Sequence, residues 1–284
     1  MVDVRHITLQ RVIVRMLYDS AFAKAVVLDP SKSLKGLGLD ARHIAFLTES
    51  DPRVWRLDPH RRARSLEALL EEYPTASVAL AHARRSVGSL DAFFSSQHFH
   101  RCIQNRGRLA LAYGDYLIEL AAGPNHEAIC GLSRLEREIA AFRRREEATT
   151  LHAELQLSPQ VSCVCVPEGT LEFYVSVRTQ LGASGLSAAQ AITSNALHMP
   201  PAPRLGDEVM LLLEAHPDGS GPSISQLSAE LGALLAEVNG GTTLRTFGVV
   251  AGRHGAEEGE VMEILDSLIS DGLILRKIGI SGTR

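Results

Sequence analysis

The last third of the chain constrains the fold most. Three apolar-periodic stretches, Glu208–Glu214, Ser223–Leu235 and Glu258–Ser270, precede a β-rich run at Leu273–Ile278. Apolar residues three and four apart mark the side of a helix that faces a core. Ile224, Leu227, Leu231 and Leu234 form one such stripe, and Val261, Met262, Leu265, Leu268 and Ile269 form a second. Gly272 follows the second stripe where a left-handed C-cap falls. The predicted order is helix, helix, helix, strand.

That order is the one in a winged helix, a module that reads DNA or docks a peptide, and charge separates the two uses. Residues 1–150 hold 22 Lys and Arg against 18 Asp and Glu, a formal +4, whereas residues 151–284 hold 7 against 15, a formal −8. Affinity for DNA comes largely from cations meeting phosphates. The predicted third helix carries Glu258, Glu260, Glu263 and Asp266 and no Lys or Arg. A recognition helix so charged is repelled by the duplex, so no nucleic-acid partner is expected.

Upstream of residue 150 the pattern is helical. Leu9, Ile13, Met16 and Leu17 share one face of Ile7–Leu17, and Phe22–Val27 continues it up to Asp29-Pro30. Leu39–Leu47 is a further short helix. Asp58-Pro59 opens another, carrying Leu66, Leu69 and Leu70, which Tyr73-Pro74 ends. Ser89–Phe99, Arg108–Leu120 and the amphipathic Leu132–Arg145 complete a helical domain over residues 1–149.

The pattern then changes. Val161–Val166 and Leu171–Val177 are β-rich runs about Pro167-Glu168-Gly169-Thr170, which predicts a β-hairpin. In the second run Leu171, Phe173, Val175 and Val177 alternate with Glu172, Tyr174, Ser176 and Arg178, as in a half-buried strand. Ser187–His198 is a further helix candidate, and Met199–Pro203 is a rigid, proline-rich connector. The fold class expected is α+β: an all-α domain over 1–149, then a winged-helix-like domain with a small antiparallel sheet over 150–284.

Few residues suggest chemistry. Cys163 and Cys165 would share a strand face, but a structural zinc site needs four ligands, so core-facing thiols are expected. His98 and His100 lie on opposite sides of a helix and cannot hold one metal there. The clusters Gly182-Ala-Ser-Gly185 and Asp218-Gly-Ser-Gly221 lack the Gly-Lys-Ser/Thr ending of a phosphate loop and read as turns. No Gly-x-Ser-x-Gly or His-Glu-x-x-His occurs. No run of eighteen apolar residues predicts a membrane span, and Met1–Gln10 has no apolar stretch of signal-peptide type, so a cytoplasmic protein is expected. Arg53, Trp55, Arg56, Arg61 and Arg62 make the densest functional-looking segment. It reads either as an interaction hot spot or as a packed tryptophan with intrachain Arg–Asp pairs.

Four segments carry a family resemblance: Leu9–Asp19, Asp51-Pro-Arg-Val-Trp-Arg-Leu-Asp-Pro-His-Arg-Arg62, Leu90-Asp-Ala-Phe-Phe-Ser-Ser96 and Tyr113-Gly-Asp115. Together they resemble the partner proteins of multinuclear non-haem iron enzymes in ribosomal peptide natural-product pathways. The thiaglutamate-pathway partner is the nearest in kind, and methanobactin-type partners are more distant. The resemblance implies a non-catalytic subunit that forms a heterodimer with the iron enzyme and holds no cofactor itself, the iron belonging to the enzyme. It also implies a winged-helix element that presents a precursor peptide for oxidative modification of a cysteine, the peptide adding to the third strand beside the third helix. Leu171, Phe173, Tyr174, Val175, Val177, Met262 and Leu265 are then the candidate peptide-binding residues. The candidate enzyme interface is Arg53, Trp55, Arg56, Arg61 and Arg62, and no membrane partner is expected. The competing expectations are a winged-helix transcription regulator with a helical sensor domain and an enzyme with an unrecognised site.

Overall fold

The computed structural model describes residues 4–51, 54–56, 60–123, 126–145, 153–194, 197–216 and 221–277. The fold is α+β, mostly helical with small antiparallel sheets. Contacts divide the chain into two compact units, Met1–Ser133 with Ser176–Pro200, and Arg134–Val175 with Pro201–Arg284. The chain crosses between them three times, rather than once near residue 150.

The first unit is all helical. It contains α1 (Val4–Tyr18), α2 (Ser20–Leu28), α3 (Pro30–Ser33), α4 (Ala41–Glu49), α5 (Arg61–Glu72), α6 (Pro74–Arg84), α7 (Gly88–Asp91), α8 (Gln97–Asn105), α9 (Leu109–Leu120) and the start of α10 (Glu127–Phe142). The end of α11 (Thr170–Ser184) and α12 (Ala188–Ser194) belong to it as well. Side-chain caps fix several starts: Asp19, Asp29, Asp40 and Ser96 each accept a bond from the backbone N–H three residues on. The expected cap at Asp58-Pro59 lies outside the described residues.

Helix α6 has no counterpart among the elements expected from the sequence, where Tyr73-Pro74 only ends a helix. Pro74 also starts a new one at its first position, where the missing N–H costs nothing. Thr75 through Ala81 are all buried, so α6 has no polar face and shows no 3.6-residue period. Around it Tyr73, Phe93, Phe94, Phe99 and Tyr113 are sealed from solvent. Phe93 meets Tyr113 at 5.1 Å and Phe99 at 5.6 Å between ring centroids, both edge to face. The expected Ser89–Phe99 segment is broken into α7, a 3-10 turn over Ala92–Ser95, and α8.

The second unit takes the rest of α10 and the first turns of α11 and, among the described residues, adds two sheets and three further helices: β1 (Leu155–Leu157), β2 (Val161–Pro167), β3 (Glu208–Ala215), β4 (Pro222–Gln226), α13 (Ala229–Asn239), α14 (Leu244–Arg253), α15 (Glu260–Ser270) and β5 (Ile274–Arg276). β1 pairs antiparallel with β5, and Leu155 also exchanges backbone hydrogen bonds with Thr242. β2, β3 and β4 form an antiparallel sheet in that order.

Three expectations are corrected by this architecture. Leu171–Val177 is not the second strand of a hairpin but the first half of α11. Its buried residues are Phe173, Tyr174, Val177 and Leu181, a helical stripe that the alternating Leu171, Phe173, Val175 and Val177 concealed. Glu208–Glu214 is not a helix but the central strand, whose short apolar run Leu211–Leu213 is buried between two neighbours. Ser223–Leu235 is split: Ile224 belongs to β4, and Leu231 and Leu234 belong to α13, capped by Ser228. Helix α14, unread in the sequence, carries Gly248, Gly252 and two valines, all poor helix formers, and is held by its buried Phe247 and Ala251. Helix α15 and strand β5 lie where expected, although Ile278 is outside the described residues. Of Ser187–His198, Ala188–Ser194 is helical, and Met199–Pro203 has no regular secondary structure.

Candidate functional site

The outer side of β4, one of the two edges of the three-stranded sheet, is the most distinctive surface of the second unit. β2 and β3 pair over Val161–Pro167, and β3 pairs with β4 through Leu211↔Gln226, Leu213↔Ile224 and Ala215↔Pro222. The Leu227 amide donates to the Met210 carbonyl at 3.0 Å. Because an antiparallel strand turns the backbone groups of alternate residues to alternate sides, Ser223 and Ser225 face β3, and Ile224 and Gln226 direct their backbone groups to the outer side. Among the described residues no strand pairs with that side. Ser223, Ser225 and Gln226 are exposed, and Ile224 is half-buried.

Close packing holds the sheet in place. α13 lies over it, and a Cβ on Gly232 would come within 2.9 Å of the Met210 Cβ, so glycine permits the approach. Cys163, Leu212, Leu234, Leu235 and Val238 share the core with Phe247 and Leu265. On the other sheet face, Arg145 donates to the Val161 carbonyl and to Ser162 Oγ, and Ser162 in turn bonds the Glu138 carboxylate. The edge strand is thus mounted on a rigid base.

The third helix is acidic on its exposed side. Glu260, Glu263 and Asp266 are solvent-exposed, α15 contains no basic residue, and Met262 is 37% exposed among them. Leu265, by contrast, is fully buried in the core of the unit and cannot meet a ligand.

The other candidate residues are dispersed. Phe173, Tyr174 and Val177 are buried in α11, Leu171 is half-buried, and Val175 is 53% exposed. Their backbone groups are used within a helix, so strand addition along Leu171–Val177 is not available. Trp55 packs against the core of Val12, Met16, Phe22 and Val26. Arg62 is committed within the chain. It donates through Nε to Asp91 Oδ1 at 2.6 Å, through Nη1 to the Tyr18 carbonyl at 2.9 Å, and through Nη2 to the Asp91 carbonyl at 2.7 Å. Arg61 is half-buried at the start of α5, Arg53 lies outside the described residues, and nothing is described of the Arg56 side chain.

Cys163 and Cys165 share one face of β2, as the strand period requires. Cys163 is buried, and burial pushes its thiol up to about 11. The Cys165 thiol is also raised, by burial and then by its hydrogen bond to the Glu208 carboxylate at 3.3 Å. Both thiols remain protonated at neutral pH, and thiols are poor nucleophiles. Among the described residues no three His, Cys, Asp or Glu side chains converge as metal ligands, and no helix is long and apolar enough to cross a membrane.

Sequence reasoning missed β4. Its signals are the alternation Ser223-Ile224-Ser225 and the Gly221-Pro222 step before it, both overridden by the longer-range stripe from Ile224 to Leu234. No family model matches the chain, and no curated protein is significantly similar to it in sequence.

Proposed function

We propose that this protein is a non-catalytic partner subunit that binds a ribosomally made precursor peptide and presents it to a multinuclear iron enzyme. One observation carries the reading: a three-stranded sheet with an open third strand leads directly into three helices, of which the last is acidic. In this reading the second unit is a winged-helix-like recognition element, and the peptide adds as a fourth strand along β4. The backbone groups of Ile224 and Gln226 supply main-chain hydrogen bonds, which tolerate varied peptide sequences. Glu260, Glu263 and Asp266 are exposed carboxylates of the same unit and favour a peptide with basic residues.

The edge is short, polar and begins with a proline, features that also protect an edge from unwanted pairing. A transcription regulator is the competing reading, and the exposed carboxylates of α15 oppose it.

The test looks beside the gene for an iron-enzyme gene and a short precursor gene ending in cysteine, and combines the full chain with their products. Fluorescence anisotropy of the labelled peptide is expected to show saturable binding, and the enzyme is expected to co-purify with the chain. Binding of duplex DNA that weakens steeply with salt, without peptide binding, would contradict the proposal.

A further inference from the structure

A cleft of about 380 Å³ in the helical unit lies between α1, the segment after α3, and the end of α8. Arg11 and Arg15, one turn apart on α1, both line it, with His100 and Gln104 opposite and with Phe22 and Leu37 as apolar wall. Its lining contains no Asp or Glu. The Nε atoms of Arg11 and Arg15 and Nε2 of His100 are shielded from solvent without a hydrogen-bond partner. His100 is only 7% exposed.

Intrachain contacts account for only part of this charge. Asp19 Oδ2 lies 4.0 Å from Arg15 Nε and 3.4 Å from His100 Nε2, without hydrogen-bond geometry to either, while Asp19 Oδ1 caps α2 through the Phe22 amide. Arg15 also stacks on Phe22, its guanidinium carbon 3.7 Å from the ring centroid. Among the described residues Arg11 makes no side-chain hydrogen bond or ion pair. Like charges at this spacing repel, and shielded N–H groups without partners are costly. Such an arrangement persists when a ligand completes it.

We propose that this cleft binds a small organic anion, with a carboxylate or phosphate group held by the forks of Arg11 and Arg15 and by His100, and with a short apolar body against Phe22 and Leu37. The guanidinium fork matches either oxyanion in a two-point contact, and the volume falls within the range of small-molecule sites. The site is independent of peptide binding at β4, and neither proposal rests on the other.

The test titrates phenyl phosphate, phenylacetate and benzyl alcohol into the full chain, followed by thermal unfolding and by ¹H–¹⁵N spectra of the arginine Nε–H groups. One or both anions are expected to raise Tm by about 5 °C at roughly a hundred times Kd and to shift the Arg11 and Arg15 signals, and the relative response identifies the preferred head group. Benzyl alcohol is expected to do neither. Arg11→Gln is expected to abolish the response while keeping or raising the Tm of the unliganded protein, because it removes an uncompensated charge. Gln104→Glu, at an exposed position on the rim, is expected to weaken anion binding about tenfold through repulsion. Absence of any response to both anions, an equal response to benzyl alcohol, or a full response in Arg11→Gln overturns the proposal.

Discussion

The α5–α7 contact of the helical unit and the β4 edge of the second unit treat polar groups in opposite ways. In the helical unit, around α5 and α7, the side chain that looks most available in the sequence is fully engaged. Arg62 binds Asp91 at two atoms of its carboxylate and reaches the Tyr18 and Asp91 carbonyls. In the second unit the side chains are modest, yet β4 leaves a row of backbone donors and acceptors without a strand partner among the described residues. A cluster of arginines and a tryptophan is therefore weaker evidence for an interface than an unfilled strand position. Available hydrogen-bonding capacity, rather than residue type, marks the surface that can take a partner.

Five substitutions probe that contrast, from the largest expected effect on stability to the smallest. Phe93→Ala removes a fully buried ring from the aromatic cluster and is expected to cost about 3–5 kcal/mol, read by urea unfolding. A much smaller loss would mean that the helical unit is less tightly packed than its ring contacts imply. Arg62→Met leaves Asp91 unpaired and is expected to cost about 2–3 kcal/mol. If stability is unchanged and enzyme binding is lost, the arginine serves the interface rather than the fold, and the contrast fails. Gly232→Val presses a side chain onto Met210 and is expected to cost about 1–3 kcal/mol, with weaker peptide binding as β3 and β4 shift.

Asp19→Asn tests the buried cap. Burial works to raise the Asp19 carboxyl, but His100, the Phe22 amide and Arg15 together hold it below its ordinary value. The folded form then binds fewer protons than the unfolded form. This contribution is present above the ordinary carboxylate range and is lost as pH falls through the lower, folded value. Acid unfolding curves of Asp19→Asn are expected to lose that component, with about 1 kcal/mol or less lost at neutral pH, because asparagine still caps. Gln226→Pro is expected to change stability least, since it removes a backbone N–H that points away from β3.

Much of the helical unit is legible in the sequence because its helices carry one apolar face, although the caps at Asp19 and Ser96, which start α2 and α8, go unread. Helix α6 is not, because a helix buried on all sides has no period to read. In the second unit the order helix, helix, helix, strand is present, with α15 and β5 where the sequence places them. The first two helices differ: α13 begins only at Ala229, α14 is unread, and Glu208–Glu214 is a strand. Short apolar runs such as Leu211–Leu213 carry no period that separates strand from helix, and only pairing with Val164 and Ser162 decides it. The candidate edge is hidden for the same reason. The cleft at Arg11 and Arg15 is invisible in the sequence because its members lie some ninety residues apart and meet only through packing of α1 and α8.

Titration of labelled precursor peptide into the Gln226→Pro variant asks whether β4 receives a peptide strand. The variant is expected to fold with nearly unchanged Tm and to bind with a Kd raised about tenfold or more, since a main-chain hydrogen bond at the outer edge is lost. Unchanged affinity in a folded Gln226→Pro variant would contradict strand addition along β4.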